Sequence, residues 1–494
     1  MKPRLTIVGA GWAGLSAAVK ATQSGFQVHL IEASSSPGGR AKSVMHQGVQ
    51  FDNGQHALLG AYSATLELMK SIGLDPQELF DEQNLMWSYP SGEPYALPED
   101  RYPLKLARSV LMSQRFDAFE KLKLLKPVLV GLQLQLGMGA RVSTPSPFGS
   151  NLVASGHAGE QNLEHDRDRD RDRDRDRDRA LAPVLSSTHL ARDTTVAQLF
   201  QGVSRSVIQD LISPLCLSAM NTPLERASAN VFIRVLRDAF MDPPRSSNFL
   251  LPKRPLSEIM PERAVQWLLA QGAMVEMGRR IEDLRQLDPE GPCILALPPW
   301  QAATLTQESY PEWSQCAKNL KHNAIASVYI KGHARRKHLG PKALRQANTA
   351  LRAVVCFNEH LELDRCVHPQ FGVQLEAPQS APTDGPERPT PQMDLAAQHW
   401  ALIVSVADPL KRQEIIQNAL LTAQKHLGLV DAQMLFCTVE KRATFSCEAH
   451  TPRPPGFIAR GLWACGDYVK GPYPATLEGA VRSGLNAVQM LLDT

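Results

Sequence analysis

The pattern of apolar and polar positions at the start of the chain predicts a β-α-β unit over residues 4–32. Residues 5–8 form a short run typical of a buried strand, and apolar residues then recur at helical spacing until Gly25. A second apolar run over residues 27–31 completes the unit. Such a unit is the building block of a doubly wound α/β sheet.

The same pattern predicts further elements along the chain. Residues 66–141 and 194–271 are mostly helical in pattern, and strands are predicted at 273–277 and 293–297. A strand over residues 462–465 is followed by a helix from about Ala475. No internal repeat of about 20–50 residues is present.

Two segments lack periodicity and predict insertions. Residues 142–192 contain seven consecutive Asp-Arg dipeptides, Asp166 to Arg179, and residues 377–393 contain five prolines. Alternating charges cannot bury an apolar face, so the first segment is interpreted as a solvated, disordered insertion. An electrostatic docking arm is the alternative.

Composition narrows the class of protein. The chain has 494 residues, 43% of them hydrophobic, and a net charge of +3, which favours a globular protein of two domains and gives no basis for nucleic-acid binding. None of the eight cysteines forms a CxxC pair, so we expect reduced thiols and no metal. No apolar run reaches about 18 residues, and we expect a cytoplasmic protein.

The first motif that carries chemistry is Gly9-Ala10-Gly11-Trp12-Ala13-Gly14, between the first strand and the first helix. Gly9 permits the tight turn, Gly11 lets a pyrophosphate approach the backbone, and Gly14 allows close packing of helix and strand. Glu32 ends the second strand, where a carboxylate can bind ribose hydroxyls and would repel a 2′-phosphate. The motif therefore predicts a dinucleotide other than NADP.

A second glycine motif follows the acidic residue. Gly38 and Gly39 expose backbone N–H groups, and Arg40 could pair with a phosphate. This segment resembles the GG-R motif of the amine oxidase and carotenoid desaturase superfamily, and the resemblance implies FAD. It also implies that Val275 contacts the adenine through its backbone.

The C-terminal segment has the same resemblance. Gly466-Asp467 follows the last predicted strand, and the resemblance places Asp467 beside the ribityl–pyrophosphate region. It places the start of the final helix at the flavin N1–C2=O edge, where the helix dipole favours negative charge. The residues implied there are Ala475, Thr476 and Leu477.

Residues 51–62, which include Asn53-Gly54-Gln55-His56, resemble a signature of squalene-associated FAD-dependent desaturases, the hydroxysqualene dehydroxylases of squalene and hopanoid synthesis. Three further stretches also match: residues 214–223, 440–445 and 474–484. The resemblance spans the chain apart from the two insertions. One departure is Tyr468, where the family has tryptophan after Gly-Asp.

The resemblance implies that the enzyme replaces the hydroxyl of hydroxysqualene by hydrogen, giving squalene. The alcohol is allylic, so loss of the hydroxyl leaves a delocalised cation that hydride from reduced flavin can quench. His56 is the candidate acid, because imidazolium exists near neutral pH, and Asp52 is its candidate partner. Tyr473, with Tyr468 or Trp463, could stabilise the cation through its ring. For His56, Asp52 and the aromatic residues, structural hydrogen-bonding or packing roles are the alternative.

Other functions and partners remain open at this stage. The alternatives are desaturation or isomerisation of another polyprenyl chain, or a non-catalytic FAD-bound scaffold for prenyl synthases. Residues 101–126 combine seven Lys/Arg with apolar residues at helical spacing, which is typical of a helix on an anionic membrane surface and equally of an ordinary helix. Peripheral contact with the inner face of a membrane is thus an additional expectation.

The expected fold class is α/β, with a discontinuous Rossmann-type FAD-binding domain and an inserted α+β substrate domain. The expected FAD-binding parts are residues 1–65, 251–300 and 435–494. The expected substrate-domain parts are residues 66–250 and 301–434.

Overall fold

The computed structural model describes most of the chain outside the two insertions. The described residues are 2–54, 56–83, 86–88, 94–96, 117–121, 123–124, 193–240, 245–288, 291–334, 351–357, 368–369, 398–426 and 429–494. The Asp-Arg repeat, residues 377–393 and most of residues 101–126 therefore lie outside them. In the part described, no helix is long and apolar enough to cross a membrane.

The described residues form strands and helices in mixed order. The strands are β1 (Arg4–Val8), β2 (Gln27–Glu32), β3 (Ser43–His46), β4 (Val49–Asp52), β5 (Leu58–Leu59), β6 (Phe80–Gln83), β7 (Met86–Ser88), β8 (Pro94–Ala96), β9 (Phe249–Pro252), β10 (Met274–Met277), β11 (Cys293–Leu295), β12 (His322–Ala334), β13 (Leu351–Phe357), β14 (His368–Pro369), β15 (Gln398–Ala407), β16 (Leu429–Phe445), β17 (Phe457–Ala459) and β18 (Leu462–Ala464). The α-helices are α1 (Trp12–Gln23), α2 (Ser63–Ser71), α3 (Pro76–Leu79), α4 (Val196–Leu199), α5 (Arg205–Val207), α6 (Ser213–Met220), α7 (Ala229–Phe240), α8 (Leu256–Ile259), α9 (Pro261–Ala270), α10 (Pro299–Thr306), α11 (Pro311–Lys318), α12 (Arg412–His426) and α13 (Leu477–Leu492).

A six-stranded sheet with the order β10-β2-β1-β11-β18-β17 is assembled from distant parts of the chain. Its first five strands are parallel, and β17 pairs antiparallel with β18. Helix α1 packs against α9 and α13, and these helices share one apolar core with β1 and β2. The predicted Rossmann-type fold is thereby confirmed.

A second sheet has the order β13-β15-β12-β16 and lies in the part of the chain expected to be the substrate domain. Strand β12 pairs antiparallel with both β15 and β16, and α12 packs against this sheet over its own apolar core. The predicted boundaries after residues 65, 250, 300 and 434 fall inside α2, β9, α10 and β16. We propose the same division with the boundaries moved to the ends of these elements, which for the two strands means after Pro252 and Phe445.

The sequence pattern predicted mostly helix over residues 66–141, and this was wrong for three short strands. Strands β6, β7 and β8 lie within that range, and β9 lies in the second stretch predicted as helical. Strand β6 pairs antiparallel with β9, whose other neighbour is β5. Strands β6 and β9 form because they pair with each other although they lie about 170 residues apart in sequence. Local periodicity cannot predict such long-range pairing.

Candidate functional site

A cavity of about 920 Å³ lies where the two sheets face each other. One side consists of the carboxyl ends of the parallel strands, from Val8 of β1 to Cys465 just after β18. The opposite side includes residues of β12, β15 and β16, among them Ser327 and Ile403. Ligands of doubly wound sheets bind at the carboxyl ends of the strands, so this cavity is the candidate site.

The first glycine motif forms the wall at the end of β1. Gly9 has φ +109°, and a Cβ there would lie 2.3 Å from the Ala296 carbonyl oxygen. A Cβ on Gly14 would lie 1.8 Å from the Gly9 carbonyl oxygen, so Gly14 serves helix packing and does not line the cavity. At Gly11 a Cβ would meet only Gly39 Cα, at 3.8 Å. Gly11 therefore leaves open space through which a ligand can approach the backbone.

Glu32 lies at one end of the cavity, as expected for a ribose-binding acid. One carboxylate oxygen accepts a hydrogen bond from the Ala10 N–H at 2.6 Å, and the other accepts from the Ser34 N–H at 2.8 Å. Each oxygen keeps a lone pair for a further donor. The carboxylate is thus fixed in place while it can still accept hydrogen bonds from hydroxyl groups.

The second glycine motif packs on the first. The Gly38 N–H donates to the Ala10 carbonyl at 2.8 Å, and Gly38 and Gly39 have φ of +109° and +63°. A Cβ on Gly39 would come within 3.1 Å of Gly11 Cα. The two loops can approach this closely because both positions lack side chains.

Arg40 binds within the protein, although the sequence suggested a phosphate partner. Its Nη2 donates to Asp467 Oδ1 at 2.5 Å, and its Nη1 donates to the Ala443 carbonyl at 2.9 Å. The side chains of Arg40 and Asp467 are only 29% and 10% exposed. Arg40 therefore joins three motifs that lie far apart in the sequence, and its charge is neutralised by Asp467.

The C-terminal motif also lines the cavity. Ala475 has φ +57°, which is unusual for a residue with a Cβ, and its N–H donates to the Asp467 carbonyl at 3.1 Å. Thr476 caps α13 by accepting from the Gly479 N–H at 2.9 Å. Gly466, Thr476 and Leu477 lie on the cavity wall, so this helix begins beside the ligand space.

A further expected cofactor residue, Val275, is not on the wall of the described cavity. Val275 lies on β10 opposite Leu30 of β2 and packs against the apolar core, and residues 279–282 line that end of the cavity. Gln55 lies outside the described residues.

His56 lies on the cavity wall, but its charge state differs from the sequence-based expectation. Burial lowers the pKa of His56 to about 4, and the nearby Arg40 lowers it further, while a hydrogen bond with the Asn53 backbone partly opposes them. Burial therefore favours the neutral imidazole at pH 7, which argues against the role of imidazolium acid that the sequence suggested. Its Nε2 atom is buried without a hydrogen-bond partner.

Asp52 does not contact His56 through any hydrogen bond of the described residues. Its carboxylate accepts from the Ser43 hydroxyl at 2.7 Å and from the Leu256 N–H at 2.9 Å, and burial raises its pKa. The Asp52 carbonyl accepts from the Tyr329 hydroxyl at 2.9 Å. These contacts hold the loop of His56 against α8 and β12.

Tyr473 lines the cavity, but both neighbours of its ring are cations. The guanidinium carbons of Arg234 and Arg482 lie 5.2 and 5.0 Å from the ring centroid. Burial and the nearby Asp238 raise the pKa of its hydroxyl, while Arg234 opposes them. The Tyr473 ring already makes cation–π contacts with two guanidinium groups, which argues against a role of this ring in stabilising a substrate cation. Tyr468 and Trp463 are buried core residues off the cavity wall.

Sequence reasoning missed the apolar part of the wall. Its residues come from α6, α7, β9 and β15 and the turn before α6, and examples are Leu211, Phe232, Leu236, Phe249 and Ile403. Leu211 lies in a π-helical turn, Ile208–Ile212, just before Pro214. A proline inside a helical pattern was the available signal, because it interrupts the hydrogen bonds of the preceding turn.

The family motifs of the sequence meet at this cavity. Asn221 adopts φ +45°, and its Nδ2 donates to Thr444 Oγ1 at 2.9 Å. Its Oδ1 accepts from the Val406 N–H at 2.8 Å. Asn221 therefore connects the end of α6 to β15 and β16.

Comparisons with known proteins agree with this geometry. The NAD(P)-binding Rossmann-like domain family matches residues 7–72. The chain is 24% identical to a hydroxysqualene dehydroxylase of Rhodopseudomonas palustris over 100% of this chain and 99% of the relative. It is 32% identical to a phytoene desaturase of Cercospora nicotianae, over 21% of this chain and 17% of that one. A solved oxidoreductase from Methanosarcina mazei has the same fold, with a TM-score of 0.57 at 11% identity over 99% of this chain and all of that one. Similarity to hydroxysqualene dehydroxylases along the whole chain, together with the motifs that meet at the cavity, makes this chain an FAD-dependent oxidoreductase.

Proposed function

We propose that the protein converts hydroxysqualene to squalene by FAD-dependent reductive dehydroxylation. The observation that carries the proposal is that one cavity joins the glycine-rich dinucleotide loops to a wall of apolar side chains. An apolar wall gains free energy by burying a hydrocarbon chain, at about 25 cal/mol per Å². A full-length relative that is named for this reaction supports the substrate class.

The residues that would hold FAD fit that group. Glu32 keeps free lone pairs, Gly11 offers open backbone, and no side chain caps the N-terminus of α1. Bound there, reduced FAD supplies a hydride equivalent. The remaining FAD contacts that we propose are Gly9, Gly38, Gly39, Arg40, Gln55, Gly466, Asp467, Ala475, Thr476 and Leu477, with Gly14 and Val275 acting through packing.

The catalytic side chains have revised roles in this proposal. His56 faces the substrate as a neutral polar group, and Asp52 is a positioning residue for its loop. Tyr473 keeps its hydroxyl proton near neutral pH, because its pKa is raised, and acts as a hydrogen-bond donor. The apolar wall disfavours water beside the substrate, which would otherwise capture the allylic cation.

The test is a single turnover with the purified FAD protein. The flavin is photoreduced under anaerobic conditions, hydroxysqualene is added, and squalene is measured together with flavin reoxidation. Stoichiometric formation of both is expected. If the flavin stays reduced and no squalene forms, the proposed reaction is excluded.

Desaturation of a polyprenyl chain is the second candidate, and the partial match to a phytoene desaturase favours it over unrelated reactions. Hydride would then flow from the substrate to oxidised flavin. Anaerobic bleaching of the oxidised protein by squalene or phytoene would support this candidate. A scaffold without catalysis would leave the flavin unchanged in both experiments.

Cell location and partners are part of the proposal. A hydrocarbon product partitions into membranes, so we expect the enzyme on the cytoplasmic side, in peripheral contact with the inner face and near prenyl synthases. Sedimentation with anionic vesicles, compared at low and high salt, tests the membrane contact.

A further inference from the structure

Two polar atoms on the cavity wall are buried without a hydrogen-bond partner. Among the described residues, seven buried side-chain nitrogen or oxygen atoms lack a partner. Of these seven, only His56 Nε2 and Ser327 Oγ belong to residues that line the cavity. Buried polar atoms are nearly always hydrogen-bonded, so two exceptions on one wall require an explanation.

The two atoms lie close to one point in space. A Cβ built on Gly54 would be 3.5 Å from His56 Nε2 and 3.8 Å from Ser327 Oγ. Ser327 is fully buried on β12, and Ile403, its neighbour across the sheet on β15, is apolar. The pair therefore forms a small polar spot beside apolar side chains.

Other polar side chains of the wall already have partners within the protein. Glu32 accepts from two backbone N–H groups, and Arg40 binds Asp467. Asn53 accepts from the Thr438 hydroxyl at 3.1 Å, and Asn221 bonds both Thr444 and Val406. Among the buried polar side-chain atoms of the described wall, only those of His56 and Ser327 thus lack any partner.

We propose that His56 Nε2 and Ser327 Oγ together bind the hydroxyl group of a polyprenyl alcohol substrate, so that Ser327 is a specificity-determining residue; this inference rests on the proposed function. A hydroxyl has one donor and two acceptor positions, which matches a neutral imidazole nitrogen and a serine hydroxyl. The hydrocarbon product has neither. The same pair that selects the alcohol is therefore left unpaired by squalene, which favours product release.

The experiment compares Ser327→Ala with the matched control Thr422→Val in the FAD-loaded enzyme. Thr422 also carries a fully buried hydroxyl without a partner, but it lies on α12, off the cavity wall. In Ser327→Ala we expect KM for hydroxysqualene to rise roughly 3- to 10-fold, as for loss of one neutral hydrogen bond. Inhibition by squalene, and FAD bound per chain, should not change.

Thr422→Val should leave KM unchanged. Both variants should melt at the same temperature as wild type or slightly above it, because each removes an unsatisfied polar group. Ser327→Thr, which keeps the hydroxyl, should recover part of the affinity. An unchanged KM in Ser327→Ala, or a fall in bound FAD, overturns the assignment.

A separate readout distinguishes this inference from the proposed function. If wild type forms no squalene, the reaction is wrong, and binding then decides the inference. Hydroxysqualene should raise the melting temperature of the FAD-loaded wild type more than squalene does, and Ser327→Ala should reduce that difference. Equal shifts of the melting temperature with both probes in wild type would refute the inference that His56 and Ser327 bind the substrate hydroxyl.

Discussion

The two sides of the cavity are built in opposite ways. The cofactor side consists of short contiguous motifs at the ends of parallel strands, with glycines at 9, 11, 38 and 39 that fix the backbone and polar groups that bond to each other. The opposite side consists of single residues from β12, β15, α6 and α7. It supplies one of the two unpaired polar atoms of the described wall, Ser327 Oγ, whereas His56 Nε2 comes from the motif at residues 51–62. A site built from contiguous motifs suits a ligand that stays the same, such as a cofactor. Single residues from several elements can instead be substituted one at a time to suit a different substrate.

The largest predicted effect separates two glycines of the cofactor side. Gly14→Ala places a Cβ 1.8 Å from the Gly9 carbonyl oxygen, and we expect a loss of at least about 3 kcal/mol of stability or failure to fold. Gly11→Ala meets only Gly39 Cα at 3.8 Å, so the protein should fold normally and bind FAD at least roughly tenfold more weakly. Urea unfolding and flavin absorbance measure the two effects. Equal stability of the two variants would contradict the packing role of Gly14.

The next effect concerns the ion pair that joins the motifs. Asp467→Asn leaves Arg40 without its charged partner in a mostly buried place, and we expect a loss of about 2–3 kcal/mol in the free energy of unfolding. The control is Asp283→Asn, which breaks an exposed pair with Arg285 and should cost much less, because solvent screens exposed charges. Similar losses in both variants would show that the Arg40–Asp467 pair contributes no more to stability than an exposed ion pair does.

A smaller effect tests His56 through pH. The pKa of His56 is lowered to about 4 by burial, below the value near 6.5 of an unfolded chain. Between these values the unfolded state binds more protons, so wild type should lose about 2 kcal/mol of stability from this residue between pH 7 and pH 5. His56→Gln should lack that part of the pH dependence in thermal unfolding. Turnover should show no change linked to His56 above pH 5, and parallel stability curves for the two proteins would argue against the buried neutral imidazole.

The smallest effect concerns Tyr473. Tyr473→Phe keeps the ring between Arg234 and Arg482 and loses only the hydroxyl, so we expect a cost of about 0.5–1.5 kcal/mol in stability. If the hydroxyl donates a hydrogen bond to substrate, kcat falls while bound FAD is unchanged. An unchanged kcat in Tyr473→Phe combined with a low kcat in Tyr473→Leu would show that the aromatic ring, and not the hydroxyl, contributes to turnover.

The sequence was sufficient for the parts of the fold that depend on neighbours in the chain. The strand at residues 4–8, the helix after Gly11 and the acid at Glu32 follow from local periodicity and turn chemistry, and they stand where predicted. The partner of Arg40 could not be predicted, because Asp467 lies 427 residues away. The pKa of His56 depends on burial by several elements, which no motif encodes. Ser327 lies in an ordinary strand pattern that gives no functional signal.

The strand order of the parallel sheet has a consequence for synthesis in the cell. Strand β1 lies between β2 and β11, and β11 in turn needs β18, which begins at Leu462, 430 residues after the end of β2 at Glu32. At about 5–20 residues per second, the ribosome needs roughly 20–90 s to supply that strand after β2 has been made. During this interval the edge of the unfinished sheet is open to wrong pairing. We therefore expect FAD to be captured late in translation, and soluble yield to depend on chaperones more than on FAD supply.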